Sequence, residues 1–236
     1  LSLEEKLKEL IKSEDDQTVA EKVIDVIIAL PEVTYLTLDD KSTVEKARLA
    51  FNSLTSAQQK LVTNQSKLVS LETKLVAEDV VSQIDSLPLV SQLTTKNKND
   101  IEKVRQAYKS LTSNQRKMVL NYDDLVALEV RLAELTDEEA VAKVIEEIND
   151  LPIESKLTLK DEKAVEKVRQ AYRGLTANQR KMVANYDDLV TLETKLVELA
   201  DEEAVAKVMK EISNLPTESN LSVEDKKAIE KAKKSY

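Results

Sequence analysis

The chain has 236 residues, among them 1 Gly, 4 Pro, no Cys and no His, and its formal net charge is −9. So little Gly and Pro argues against a turn-rich sheet protein and favours long amphipathic helices, since 33% of the residues are charged. The acidic balance disfavours nucleic acid and anionic membrane surfaces as partners, and no apolar run approaches the roughly 18 residues of a membrane span.

The four prolines mark an internal repeat. They are spaced by 57, 64 and 64 residues, at Pro31, Pro88, Pro152 and Pro216. Apolar residues lie one, four, seven and eight positions before each proline, on one face of a helix; in the first repeat they are Leu30, Ile27, Ile24 and Val23. We therefore predict a helix A in each repeat that ends at the leucine before the proline, because the proline ring disfavours helical geometry there.

A second helix, helix B, is predicted after each proline. A hydroxyl residue can cap it, and Asp or Asn three positions later suits the positive helix end; the pairs are Thr37 and Asp40, Thr94 and Asn97, Thr158 and Asp161, and Ser222 and Asp225. Its apolar stripe is Val44, Ala47, Phe51 and Leu54, then Ile101, Val104, Tyr108 and Leu111, then Val165, Val168, Tyr172 and Leu175. Gly174 lies where the third helix B should stop, as a left-handed terminal residue would.

The third helix of each repeat is predicted from a nearly duplicated stretch. "LTSNQRKMVLNYDDLVALEVRL", at 111–132, recurs at 175–196 with 17 of 22 residues identical. A Thr-x-x-Gln capping box opens it at Thr55 and Gln58, Thr112 and Gln115, and Thr176 and Gln179. Its inward residues are predicted to be Met182, Val183, Tyr186, Leu189, Leu192 and Leu196. Asn185 either breaks this helix into a short and a longer piece or lies within a continuous one.

The junctions between repeats differ in length by seven residues, which is two helical turns and a phase error of only about 20°. This difference favours one helix that runs through each junction. The alternative is a new helix start, since Thr136 and Glu139 make another capping box.

These patterns predict an all-α fold of tandem three-helix bundles, a spectrin-like array joined by continuous or near-continuous helices into an elongated rod. The predicted divisions are 1–16 as the tail of a preceding repeat, 17–77, 78–135 and 136–199 as three repeats, and 200–236 as a partial fourth repeat with helices A and B only. We expect a piece of a longer array, with some tendency to self-associate at the partial repeat.

The pattern "I..LP......T..D...V...R..Y..LT..Q...V.NY..L..LE..L" resembles helical repeats of Gram-positive bacterial cell-surface and S-layer-type proteins. The resemblance implies an extracellular helical spacer or interaction module on a bacterial cell surface. One departure is Gln65, which stands in the first repeat where Tyr122 and Tyr186 stand in the next two. Attachment to a cell wall is implied by the resemblance alone.

Residues with potential chemistry are few, because the chain has no His or Cys to serve as base, nucleophile or zinc ligand. Asp123 with Asp124, and Asp187 with Asp188, could bind a cation, but acidic residues also favour the start of a helix. The tyrosines could stack on sugars or belong to the core with the hydroxyl at the surface; they are Tyr108, Tyr122, Tyr172 and Tyr186. Charged stretches such as "KDEKAVEKVRQ" are expected to be solvated, with pairs four residues apart.

We therefore expect no enzyme, no catalytic, cofactor or metal site, and no cofactor. The predicted role is a structural spacer or stalk, or a surface-layer module, that projects other domains from a cell. The alternative is a multivalent, adhesin-like binding module for a cell-wall polymer or a host protein. Expected partners are neighbouring domains of a longer parent chain and a wall polymer or another surface protein, with no nucleic acid and no membrane insertion.

Overall fold

A computed structural model describes residues 2–235, and within them the chain is all-α, with no β-strand. The prediction of an all-α fold is confirmed. Residues 1 and 236, at the outer limits of the predicted repeats, lie outside the described residues. The helices are α1 (Leu3–Ile28), α2 (Lys41–Asn52), α3 (Ser56–Gln59), α4 (Gln65–Asp85), α5 (Lys98–Ser110), α6 (Ser113–Arg116), α7 (Tyr122–Asn149), α8 (Glu162–Gly174), α9 (Ala177–Arg180), α10 (Tyr186–Ser213) and α11 (Lys226–Ser235).

The chain divides into two compact units, Leu1–Ala133 and Glu134–Tyr236. In the first unit α1, α2 and α4 pack against one another, and their apolar faces meet in a core that includes Ile27, Phe51 and Leu71. In the second unit α8 packs on α10, and the core includes Ile148, Val168 and Leu189. The boundaries of the four repeats themselves stay a prediction.

Each helix A ends slightly earlier than predicted. α1 ends at Ile28 rather than at Leu30, and α4, α7 and α10 likewise end two residues before the leucine that precedes proline. The last turn tightens instead of continuing: the Leu30 N–H donates to the Ile27 carbonyl oxygen at 3.2 Å, a bond across three residues. The proline therefore ends the α-helix two residues before the preceding leucine, and a single tighter turn connects the two.

Each helix B begins with a short 3-10 turn at the predicted cap. In the first repeat the turn is Leu38–Asp40, and the Asp40 carboxylate accepts from the Thr37 backbone N–H at 2.9 Å and from its hydroxyl at 3.0 Å. The same arrangement recurs at the other predicted pairs, with the amide of Asn97 replacing the carboxylate in the second repeat. The predicted capping pairs are confirmed, although the acidic side chain reaches back to the hydroxyl residue.

The third helix is broken at the asparagine, so the first of the two alternatives is confirmed. Each Thr-x-x-Gln box opens a four-residue helix, α3, α6 or α9, and a longer helix starts after Asn64, Asn121 or Asn185. The predicted inward residues Val183, Leu189, Leu192 and Leu196 are buried and Tyr186 is half-buried. The prediction for Met182 is wrong, because it lies before the break and its side chain is exposed.

The long helices run through the junctions between predicted repeats. α4 extends from Gln65 to Asp85 and α10 from Tyr186 to Ser213 without interruption. Thr136 lies inside α7, so the alternative of a new helix start there is wrong. In α4, Leu71 packs in the core with residues of α1 and α2, and Ile84, further along, is also buried; α4 contacts α5 as well.

The prediction of a left-handed conformation at Gly174 is wrong. No described residue has positive φ, and Gly174 is the last residue of α8. The chain leaves this helix through Leu175 in an extended conformation, with the Leu175 N–H donating to the Tyr172 carbonyl oxygen at 3.2 Å. Since this exit needs no left-handed residue, Ser53 and Ser110 can occupy the same place in the other repeats.

Replacement of Gly174 by Ala should stabilise the protein by about 0.5–1 kcal/mol, because Ala loses less backbone entropy in a helix. A Cβ at this position would meet nothing within 4 Å. The measurement is the free energy of unfolding in urea, followed by far-UV circular dichroism. The matched control is Ser110→Gly in α5, which should destabilise; a loss of stability in Gly174→Ala would contradict the helical assignment.

Candidate functional site

The same ion pair joins helix B to the long helix in three successive repeats. Arg48 on α2 pairs with Glu72 on α4, Arg105 on α5 with Glu129 on α7, and Arg169 on α8 with Glu193 on α10. Each pair is separated by 24 residues and is bidentate, with Nε and Nη2 donating to the two carboxylate oxygens; for Arg48 both distances are 2.5 Å. This geometry matches the planar fork of a guanidinium to a carboxylate.

Two tyrosines complete the cluster in the second and third repeats. The rings of Tyr108 and Tyr122 stack with centroids 4.4 Å apart, and those of Tyr172 and Tyr186 with centroids 4.5 Å apart. The guanidinium of Arg169 lies 5.2 Å from the Tyr186 ring centroid, and its Nη1 donates to the Tyr186 hydroxyl at 3.3 Å. Aromatic stacking and the cation–π contact therefore act in one place.

The first repeat carries a reduced form of this cluster. Phe51 takes the place of the first tyrosine, with the Arg48 guanidinium 5.3 Å from its ring centroid. Gln65 takes the place of the second and is exposed, so no ring stacks on Phe51 from α4. Arg48 keeps its bidentate carboxylate and lacks the tyrosine hydroxyl.

Burial and hydrogen bonding set the charge state of the cluster. Arg169 is buried, only 8% exposed. The hydrogen bond to Glu193 raises the pKa of Arg169 above its usual range, and the bond to Tyr186 adds to the rise, while burial opposes it. The arginine therefore keeps its positive charge at neutral pH.

Sequence reasoning missed the arginine–glutamate pair. It assigned the stretch that contains Arg169 to a solvated face with pairs four residues apart, whereas this side chain crosses to another helix. A signal was present, since Arg and Glu recur 24 residues apart in three repeats. The tyrosines are half-buried, and the hydroxyls of Tyr122 and Tyr186 accept hydrogen bonds from Arg105 and Arg169.

The asparagine at each helix break forms a second repeated contact. Its amide nitrogen donates to a carbonyl oxygen of helix A, from Asn64 to Ile24 at 2.9 Å, and from Asn121 and Asn185 to Val81 and Ile145 at 3.0 Å. This contact ties the start of the long helix to the helix that begins the repeat. The amide nitrogen is thus used within the protein, whereas the side-chain oxygens of Asn64, Asn121 and Asn185 are buried without a hydrogen-bond partner.

The predicted cation candidates lie at helix starts. Asp123 with Asp124 and Asp187 with Asp188 are exposed residues in the first turns of α7 and α10. Their charge suits the positive end of a helix. Within residues 2–235 no group of three or more acidic side chains is placed to hold a metal ion.

An apolar groove of about 490 Å³ lies between α2 and α4 in the first repeat. Its lining includes Val44, Leu75, Arg48 and the exposed side chains of Leu49 and Val76. Gln106 and Gln170 stand where Leu49 stands, so the exposed leucine of this groove is absent from the next two repeats.

No helix in the described part of the chain combines the length and apolarity that crossing a membrane requires. Comparison of the chain with protein-family models, with curated proteins and with solved structures finds no match. The function therefore has to be inferred from the geometry of the repeated contacts.

Replacement of Arg169 by Ala should destabilise the protein by about 2 kcal/mol, because it leaves Glu193 and the Tyr186 hydroxyl without their partner. Arg169→Lys should lose roughly half as much, since it keeps the charge and loses the bidentate fork. The matched control is Arg173→Ala on the exposed face of α8, expected within about 0.5 kcal/mol of the parent. Equal losses in the Arg169 and Arg173 variants in urea unfolding would refute an interhelical role.

Replacement of Gln65 by Tyr should stabilise the first unit by about 0.5–1.5 kcal/mol, because it supplies the ring that stacks in the other repeats. The new hydroxyl would also accept from Arg48. Urea unfolding of Gln65→Tyr is compared with that of Gln65→Ala, which adds no ring. If both variants unfold at the same denaturant concentration, the cluster of the first repeat does not have the geometry of its neighbours.

Proposed function

We propose that the chain is a non-enzymatic structural spacer, built as an elongated array of three-helix bundles joined by continuous helices. Its proposed setting is the bacterial cell surface, as a stalk or surface-layer module that projects other domains. The setting rests on the resemblance of the repeat pattern to cell-surface helical repeats. The partners are then neighbouring domains of a parent chain.

The proposal rests on one observation, namely that the repeated polar side chains make their contacts within the chain. Arginine, glutamate and tyrosine are common in binding and catalytic sites, yet here they bind one another across two helices of the same repeat. The asparagine amides and the capping pairs are likewise used within the chain. These repeated contacts between helices reproduce one shape in each repeat, as a spacer requires.

The long helices support the elongated arrangement. Inside the first unit α4 contributes Leu71 to the core with α1 and α2 and then contacts α5 and α6. A helix that belongs to two successive repeats stacks them along its own axis. Helices of about 20 residues span about 30 Å, so the chain should reach roughly 100 Å or more.

Small-angle X-ray scattering tests the proposed shape. A compact chain of this length would have a radius of gyration of about 17 Å, whereas an elongated array should exceed it clearly and show a maximum dimension of roughly 100 Å or more. A control variant deletes residues 197–203 from α10, which recreates the length of the junction in α4. It should shorten the maximum dimension by about 10 Å; a compact profile for the parent would overturn the spacer proposal.

Co-sedimentation with purified Gram-positive wall sacculi tests the proposed role. A spacer should stay in the supernatant, with and without the secondary wall polymers. Saturable binding that disappears when the polymers are stripped would instead identify a wall-binding module. The Gln65→Tyr and Arg173→Ala variants, which alter exposed residues, would then locate the binding surface.

A further inference from the structure

A pocket lies beside the proline in the second repeat and again in the third. Its volume is about 170 Å³ in the second repeat and about 330 Å³ in the third. The two linings come from corresponding segments, namely the end of helix A, the proline turn and the first turns of the long helix. Each lining includes a buried leucine of the long helix, Leu128 or Leu192, so part of each pocket is apolar.

In the first repeat a lysine makes three contacts at the corresponding place. The Nζ of Lys67 donates to the carbonyl oxygens of Ile28 at 3.3 Å and Leu30 at 2.9 Å, and to the Glu32 carboxylate at 3.1 Å. An ammonium group is favoured there, because the end of a helix has free carbonyl oxygens and partial negative charge. The counterparts of these three acceptor residues line both pockets: Asp85, Leu87 and Leu89 in the second repeat, and Asn149, Leu151 and Ile153 in the third.

The second and third repeats keep the two carbonyl acceptors and lack the lysine. Asp124 and Asp188 stand where Lys67 stands in the first repeat. Within residues 2–235 no hydrogen bond reaches the corresponding carbonyl oxygens, which belong to Asp85, Leu87, Asn149 and Leu151. Each pocket therefore has the carbonyl pair that binds an ammonium group in the first repeat, and no donor of its own for that pair.

The charge of the linings also favours a cation. Two acidic side chains line each pocket, Asp85 and Asp124 in the second repeat and Glu154 and Asp188 in the third. Neither lining includes a basic side chain, as far as the chain is described. Lys195, further along α10, makes its hydrogen bond to Glu198 at 2.9 Å. A cation that enters either pocket therefore meets negative charge from two side chains and from the helix end.

We propose that each of these two pockets binds an aliphatic primary ammonium group, whose nitrogen takes the place of the Lys67 Nζ. Its three N–H donors suit the carbonyl pair and the aspartate at the start of the long helix. Its aliphatic stem lies against the apolar part of the lining, as lysine stems do on protein surfaces. A lysine side chain of a partner protein and a small free amine both carry this chemistry. The site goes beyond the spacer role and does not depend on it, because each pocket lies within one repeat.

Titration of the isotope-labelled chain with n-butylamine hydrochloride, followed by NMR, tests the proposal. Saturable shifts are expected at the backbone amides of the two proline turns, 89–92 and 153–156. The control is n-butyltrimethylammonium chloride, which has the same charge and stem but no N–H donor, and it should produce no saturable shift. Equal shifts with both salts, or none with n-butylamine, would overturn the proposal; shifts with calcium chloride alone would identify a metal site instead.

The variants Asp124→Asn and Asp188→Asn test the two pockets separately. Both residues are exposed, so neither change should unfold the chain. Asp188→Asn should raise the dissociation constant for n-butylamine several-fold in the third repeat and leave it unchanged in the second. Asp124→Asn should do the reverse, so each variant is the control for the other. If neither variant weakens binding, the aspartates do not face the ammonium group and the proposed site is wrong.

Two lysine variants test the comparison with the first repeat. Lys67→Ala leaves the carbonyl oxygens of Ile28 and Leu30 without their donor, so a third set of saturable shifts should appear around residues 28–35. Asp188→Lys should supply the ammonium group from within the chain, so the n-butylamine shifts should disappear from the third repeat and persist in the second. A Lys67→Ala chain that shows only the two original sets of shifts would overturn the proposal.

A second titration distinguishes the two sources of the ligand. Nα-acetyl-lysine N-methylamide presents its ammonium group as a polypeptide does. Binding at least as tight as that of n-butylamine would identify a lysine of a partner protein as the ligand, and much weaker binding would identify a small free amine. The molecular shape measured by scattering should be the same with and without either amine, so failure of this proposal and failure of the spacer proposal can be told apart.

Discussion

An amphipathic helix is stable in water only when another helix covers its apolar face, and in this protein one long helix covers two neighbours. The long helix α4 contacts its neighbours over a length of 21 residues, whereas the long helix α10 has a length of 28 residues. The difference is two whole turns, so the apolar residues at both ends keep almost the same relative direction. A helix shared in this way can change its length only in steps that preserve direction, which explains why the repeat spacing is 57 or 64 residues.

The arginine–glutamate pair adds selectivity to this packing. A partly buried ion pair contributes little net stability compared with an apolar pair, because both charges lose water. Its two parallel hydrogen bonds, however, form only when helix B and the long helix have one particular axial offset and one particular rotation about their axes. The aliphatic stripes alone would tolerate a shift by one turn. We infer that the pair between Arg169 and Glu193, with Tyr172 and Tyr186 beside it, fixes the register of two otherwise repetitive helices.

Local features of the fold were predictable from the sequence, and long-range side-chain contacts were not. Caps such as Thr176 with Gln179 and the stripe through Val165 and Val168 follow from spacing within one helix. Met182 was misplaced because helical periodicity was extended across a break that releases its side chain. The ion pair escaped prediction because its partners lie on different helices, 24 residues apart, whereas helical periodicity relates only residues of one helix.

The sequence differences between two neighbouring repeats are confined to positions that are not buried. Residues 111–132 and 175–196 differ at five positions, and none of them is buried in either copy. Leu120 with Ala184 and Val130 with Thr194 are exposed pairs, so a change from apolar to small or polar leaves the packing intact. Buried positions are identical in both copies, because each of these side chains fits a space set by the residues packed around it. Packing therefore accounts for the identity of the buried positions alone, since exposed positions such as Arg116 with Arg180 and Asp123 with Asp187 are also identical in the two copies.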